Sequence, residues 1–387
     1  VSRIILSKPY LLRRSRGYAP ESIQLPFQSR QILATGAELK NTFCLSRDNN
    51  AFLSHHIGDL ENLETLDSFE KGIRHYENLF RIKPEIIACD LHPDYLSTRY
   101  AVNRAETENL PIVKIQHHHA HLASVLADNH WNQDNSVIGL CYDGTGYGSD
   151  GAIWGGEIFV GNYQQYQRRF HLKYTPLPGG DLAVKTPSRM ALSHLWTSDI
   201  AWDLAFPCSS ALCMEERTVV RLQLEKKLNA PLTSSMGRLF DAASALMGIR
   251  QKVNYEGQAA IEMEAIVDPD ETGIYPFNLS EDIIDPAPLW EAMVADLQSG
   301  KSKSIMAARF HNSIINISLE ICKTIRNQTG EETVALSGGV WQNKVLLVKT
   351  IQKLQDNCFS VLRHHHVPSN DGGIAFGQTC IAVKTIN

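Results

Sequence analysis

Two stretches of this chain end alike, in an apolar run that breaks abruptly into glycine, and this pairing limits the folds open to it. Val137-Ile138-Gly139-Leu140-Cys141-Tyr142 runs into Asp143-Gly144-Thr145-Gly146-Tyr147-Gly148, and Glu332–Leu336 runs into Ser337-Gly338-Gly339-Val340. Each run reads as a buried strand ending in a turn, and the first continues into a returning strand at Ala152–Val160 around a loop of phosphate size. An earlier α/β series starts at Gln31, with strands at Ile32–Thr35, Thr42–Ser46, Glu85–Asp90 and Ile112–Ile115, and helices at Thr65–Phe80 and His119–Asn129. The chain therefore reads as two α/β lobes in succession, 31–135 and 136–387. A helix-rich insertion over about 180–300, with helices at Ala191–His194, Glu215–Asn229 and Met236–Ile249, interrupts the second lobe and is placed to form a lid or cleft wall. Beyond it lie a long helix at Ala307–Asn327, a strand at Cys358–Arg363 and a closing helix at Ile374–Lys384. Residues 1–30 mix charges with Pro9, Pro20 and Pro26, show little periodicity, and read as a linker after a preceding domain.

The 37 basic and 42 acidic side chains of the 387 residues leave a net charge of −5, which argues against a nucleic-acid partner. No apolar stretch is long enough to span a membrane, and the basic N-terminus lacks the apolar core of a signal peptide, so a cytoplasmic protein is expected. The eight cysteines contain no C-x-x-C pair, and most read as buried thiols.

Seven of the fifteen histidines sit in two clusters, Gln116-His117-His118-His119-Ala120-His121 and His364-His365-His366. If the first opens a helix, the i,i+4 pair His117 and His121 share one face, as two metal ligands require. A centre with two histidines needs oxygen ligands to complete it. Asp143 and Asp371 are the candidates, each at a strand end before glycine, where the ligand crevice of an α/β sheet lies. The alternative for each aspartate is a turn or helix cap. His118 and His119 point elsewhere, and the 364–366 triplet either lines the same pocket or ends a strand. Three glycine turns, at 143–148, 337–340 and 255–258, suit the close approach of phosphate, and together they suggest nucleotide between two actin- or sugar-kinase-like halves. None matches a P-loop or a dinucleotide fingerprint, and no hydrolase triad can be assembled. Lys40 is an anion contact or a surface lysine.

Together these strings, with Asp150-Gly151, Ile153-Trp154-Gly155-Gly156-Glu157 and Ser369-Asn370-Asp371-Gly372-Gly373, resemble the C-terminal carbamoyltransferase region of the HypF family of nickel–iron hydrogenase maturation factors. The likeness covers nearly the whole chain. Arg13-Arg14-Ser15-Arg16-Gly17-Tyr18 looks like the junction after that family's YrdC-like domain; the acylphosphatase-like and zinc-finger modules are not part of this sequence. The resemblance implies a two-lobed actin-like fold with ribonuclease H-like halves and transfer of a carbamoyl group from carbamoyl-adenylate, made with ATP, to the C-terminal cysteine of the partner HypE. It further implies one iron or zinc ion on His117, His121, Asp143 and Asp371, a choice that histidine and carboxylate ligands leave open. Nucleotide contacts are implied at Gly144, Thr145, Gly146, Asp241, Gly257, Gly338, Gly339 and Asn343. An external thiolate nucleophile makes Glu38, Lys40 and His56 candidates for substrate orientation only. Transfer to a tRNA or a small-molecule hydroxyl, or a non-catalytic nucleotide-binding scaffold, are the alternatives.

Overall fold

The computed structural model describes residues 1–386. The chain opens with a hairpin, β1 (Ser2–Ile5) and β2 (Lys8–Leu11), which buries Ile5 and Tyr10 in the core of the second lobe. The first sheet is built from β3 (Ile23–Ala34), β4 (Cys44–Leu53), β5 (Ile86–Asp90) and β6 (Ile112–Ile115) in the order β4-β3-β5-β6. Here β4 runs antiparallel to β3, while β5 and β6 run parallel to it. Helices α1 (Leu63–Phe80) and α2 (Leu96–Glu108) connect these strands, and α3 (His117–Asp128) follows β6.

The second sheet repeats the plan. Strands β7 (Val137–Tyr142), β8 (Gly156–Gly161) and β9 (Tyr166–Leu172) form an antiparallel meander. Then come the insertion helices α4 (Pro187–Thr197), α5 (Met236–Leu246) and α6 (Gln258–Ala265), a hairpin of β10 (Asn278–Ser280) and β11 (Ile283–Asp285), and the long helix α7 (Lys303–Thr329). The lobe ends with β12 (Thr333–Ser337), α8 (Lys344–Asp356), β13 (Ser360–Leu362) and α9 (Ile374–Ile386). The strand order is β10-β11-β9-β8-β7-β12-β13, with β12 parallel to both β7 and β13. Without the insertion hairpin, this is the 3-2-1-4-5 order of a ribonuclease H-like sheet, and the first sheet has the same order lacking its third strand.

One expectation is corrected. Residues 1–30 are not a featureless linker, since they carry the first hairpin and most of β3; their burial is achieved by few, widely spaced apolar residues, so no period shows. The helix-rich insertion also contributes a hairpin, which pairs with β9 and extends the second sheet.

The strands divide between the two sheets after β6, but the helices do not. Helix α9, last in the chain, packs on β3, β4 and β5 of the first sheet, whereas α3 from the first half packs on β7 and β12 of the second. The two helices cross where Gly377 meets α3: a Cβ there would run into the Ala120 carbonyl oxygen and stand 3.0 Å from the Ser124 amide. Backbone atoms cannot yield as a flexible side chain would. Gly377→Ala is therefore expected to lower stability by about 3 kcal/mol, the upper end of overpacking costs, read as an earlier urea midpoint at unchanged slope.

Candidate functional site

Helix α3 starts inside the protein, at the seam between the sheets. Its N-cap is Gln116, whose side chain accepts from the His119 amide at 2.8 Å and so sets where the helix begins. Helical geometry from His117 onward puts His117 and His121 one turn apart on one face, with ring centroids 5.1 Å apart. His121 Nε2 lies 2.8 Å from Asp143 Oδ2, and His117 Nε2 lies 3.7 Å from the same oxygen. Asp371 Oδ1 stands 3.8 Å from both imidazole nitrogens. One ligand atom from each of the four residues falls within 4.8 Å of every other, and all four side chains are buried.

Main-chain amides hold the Asp143 carboxylate, and a capped turn places Asp371. Asp143 follows β7, and its Oδ1 accepts from the amides of Gly144 (2.7 Å) and Gly339 (3.1 Å), which turns Oδ2 toward the imidazoles. Asp371 opens the single 3-10 turn before α9, where Asn370 Oδ1 accepts from the Gly372 amide at 3.0 Å. The arrangement is electrostatically incomplete without a cation. His117 Nε2 is buried with no hydrogen-bond partner. Burial, and after it the neighbouring Asp143 charge, push the Asp371 carboxyl upward. Asp143 is buried as well, yet the two imidazoles facing it, His117 and the hydrogen-bonded His121, keep it well below the ordinary carboxylate range. Two imidazoles and two carboxylates of this kind fit a divalent metal of the zinc or iron type.

Behind His117 stands a residue that sequence reasoning missed. Asp90 Oδ2 accepts from His117 Nδ1 at 2.8 Å, both side chains being fully buried, so the Nε2 lone pair is turned to the centre. The available signal was its place: Asp90 ends the apolar strand β5 much as Asp143 ends β7. The remaining histidines of the cluster do other work. His118 is buried against the glycine loop, 3.9 Å from Glu157 Oε2, and a Cβ on Gly146 would collide with its ring and come within 2.8 Å of His117 Cδ2. His119 Nε2 donates to the Asn162 carbonyl at 2.8 Å and tilts against Tyr166, a packing role.

A cavity opens beside the centre, with Asp143 in the wall of both. Of the glycines and polar residues expected at a nucleotide, Gly144, Asp241, Gly257, Gly339 and Asn343 line it, while Thr145, Gly146 and Gly338 do not. Gly338 acts one step back. Its φ of +107° is open to glycine alone, and a Cβ there would strike the Tyr142 carbonyl. Gly257, at φ +76°, begins α6 with open space beside it. Asp241 is paired with Arg238 at 2.9 Å, and burial pushes its carboxyl up to about 6. Asn343 caps α8 through the Leu346 amide (2.9 Å) and meets His311 Nε2 at 2.9 Å. Lys40 reaches the cavity from the first lobe, its ammonium hydrogen-bonded to Glu256.

Glu38 and His56 do not line this cavity. Glu38 Oε2 accepts from the Leu96 amide at 2.7 Å and so caps α2, whose own N-cap Tyr95 offers no side-chain bond. The His56 amide donates to the Arg14 carbonyl at 2.8 Å, tying its loop to the N-terminal segment.

Duplicated ribonuclease H-like sheets, a cleft between them and a histidine–carboxylate centre at the seam define a two-lobed protein of the actin-like class. Comparison with known proteins narrows this. A family model described as a carbamoyltransferase, Kae1-like domain, second subdomain, matches residues 139–378, and one described as a HypF Kae1-like domain matches residues 27–128. The chain belongs to the HypF family. It is 40% identical to carbamoyltransferase HypF of Synechocystis, an alignment covering 99% of this chain and 51% of the relative. It is 32% identical to a carbamoyltransferase HypF homolog of Cupriavidus necator, with 91% of each covered. A crystal structure of full-length HypF in the phosphate- and nucleotide-bound form superposes with a TM-score of 0.95 at 41% identity, over all of this chain and 51% of that one. T. kodakarensis HypF superposes with a TM-score of 0.89 at 32% identity, over 99% of this chain and 51% of that one. The chain thus spans about half the length of most of the curated relatives it matches.

The raised Asp371 carboxyl has a sign that can be measured. In metal-free protein the folded chain keeps a proton that the unfolded chain releases in the ordinary carboxylate range, so stability falls as pH rises above that range. Asp371→Asn is expected to flatten this part of the pH–stability curve. Saturating zinc is expected to do the same in the unmodified protein.

Proposed function

We propose that this chain transfers the carbamoyl group of carbamoyl-adenylate to the C-terminal cysteine thiolate of HypE, on the way to the cyanide ligands of nickel–iron hydrogenase. The observation that carries this reading is the double use of Asp143: one carboxylate belongs both to the four-residue centre and to the wall of the cavity, in a chain whose curated relatives are named carbamoyltransferases. A mixed anhydride lying in the cavity would bring its reacting carbonyl and phosphate to the centre.

His117, His121, Asp143 and Asp371 would hold one iron or zinc ion, which would supply Lewis acidity to polarise a carbonyl or phosphate oxygen and offset the charge that appears as adenylate leaves. The chain's own groups do the rest. The N-terminus of α6, opening at Gly257 on the cavity wall, favours a negatively charged group there. Lys40 offers its ammonium to the same anion from the opposite lobe, exchanging it for Glu256. Among the described residues no serine or cysteine lines the cavity, which suits a nucleophile delivered by the acceptor. The net charge of −5 favours a protein acceptor over tRNA.

The test pairs metal analysis with mass spectrometry of a HypE C-terminal peptide after incubation with carbamoyl-adenylate. The unmodified chain is expected to hold one metal ion and to add a carbamoyl mass to the peptide cysteine. His117→Ala and Asp371→Ala are expected to lose both properties while keeping the fold by circular dichroism. Transfer that persists in metal-free protein would sink the reading. Lys40→Ala is expected to retain the metal and to bind AMP roughly tenfold more weakly, about 1.4 kcal/mol, by calorimetry.

A further inference from the structure

The second histidine cluster lies behind the centre, on the side away from Asp90. His364 follows β13, and Ser337 is the last residue of β12. Both side chains are buried. His364 Nε2 and Ser337 Oγ are 2.9 Å apart, and the same Oγ lies 3.4 Å from His121 Nδ1. On the far side, His364 Nδ1 is buried with no hydrogen-bond partner nearer than Asp128 Oδ2 at 3.6 Å. Asp128 is itself fixed, accepting from the His365 amide (2.6 Å), the His366 amide (3.1 Å) and His366 Nδ1 (2.9 Å).

These contacts admit a consistent donor order. If His121 Nε2 is to present a lone pair to the centre, its proton sits on Nδ1 and is donated to Ser337 Oγ. The Ser337 hydroxyl hydrogen then goes to His364 Nε2, which accepts. The remaining His364 proton sits on Nδ1 and faces the Asp128 carboxylate, where the chain ends on a charge. His117 needs no such relay, because Asp90 takes its Nδ1 proton directly. Asp128 is the last residue of α3, so the helix that carries both ligands at its start also carries the anchor at its end.

We propose that Ser337 and His364 are positioning residues that act in series on His121, with Asp128 as their anchor, fixing the tautomer and ring orientation with which His121 faces a metal. This rests on the metal reading of the centre. The supports of the two ligands then differ in kind. His117 is held by a carboxylate at one remove, and His121 by a neutral hydroxyl whose own partner is a histidine.

Cobalt(II) alone, titrated into the full chain against a chelator and followed by its visible absorption, is the probe. Ser337→Ala removes one oxygen from a tight site and keeps the fold. It is expected to weaken cobalt binding about tenfold, the lower end of losses seen when such outer partners are removed, and to shift the visible band. His364→Ala is expected to do the same, and His364→Gln, whose amide oxygen reaches where Nε2 stood, to restore affinity and spectrum. The double variant Ser337→Ala/His364→Ala is expected to lose no more than either single one, as members of one series do. Asp90→Ala, acting on the other ligand, is expected to add its loss in full. Cobalt affinity and spectrum unchanged in both Ser337→Ala and His364→Ala would overturn the proposal while leaving the centre's assignment standing. An unmodified chain that takes up no cobalt would overturn that assignment, and this proposal with it.

Discussion

Everything around the seam of this molecule is arranged so that two carboxylates and two imidazoles can share one dry point. Burying a lone carboxylate is costly, and burying two that face each other is more so unless opposite charge lies between or beside them. The structure meets that cost with main-chain geometry. Asp143 spends one oxygen on the Gly144 and Gly339 amides and turns the other inward, and Asp371 enters on a capped single turn. Glycine at 338 lets β12 turn against Tyr142, and glycine at 146 leaves room for the rings of His117 and His118. Gly338 is dictated by the close pass of β12 over the Tyr142 backbone, and Gly146 by the rings of the histidine cluster.

The parts of this arrangement that could be read in the sequence are those with a short, local signature. His117 and His121 announce themselves because four residues of helix put them on one face, and the helix begins where Gln116 caps it. Asp143 and Asp371 were chosen by the rule that strand ends converge on a ligand, although Asp371 opens a turn before α9, well past the end of β13. That rule applied equally to Asp90, which was passed over because a single carboxylate ending a strand has no local partner to mark it. The partner, His117, is 27 residues away, and only the parallel pairing of β5 with β6 brings the two together. The 364–366 triplet was visible as a cluster but mute as to role, since its partners Asp128 and Ser337 come from other elements.

Where the reading and the structure part company, the reason is also physical. The segment before residue 31 lacks periodicity because its first hairpin buries only isolated side chains, Ile5 and Tyr10 among them, into the opposite lobe. Glu38 carries a charge near Lys40 and invites a substrate role, yet its carboxylate is taken up by the bare start of α2. A capping need that arises 58 residues downstream cannot be seen in the residues that meet it.

The exchange of helices between the two sheets has a mechanical meaning. His117 and His121 ride on α3, Asp371 stands at the threshold of α9, and these two helices touch backbone to backbone at Gly377; Asp143 follows the strand on which α3 lies. Lys40 and Glu256, by contrast, belong to segments outside this pair, one on each side of the cavity. A hinge whose pin is the α3–α9 pair would change the span between Lys40 and Glu256 and leave the distances within the histidine–carboxylate cluster as they are.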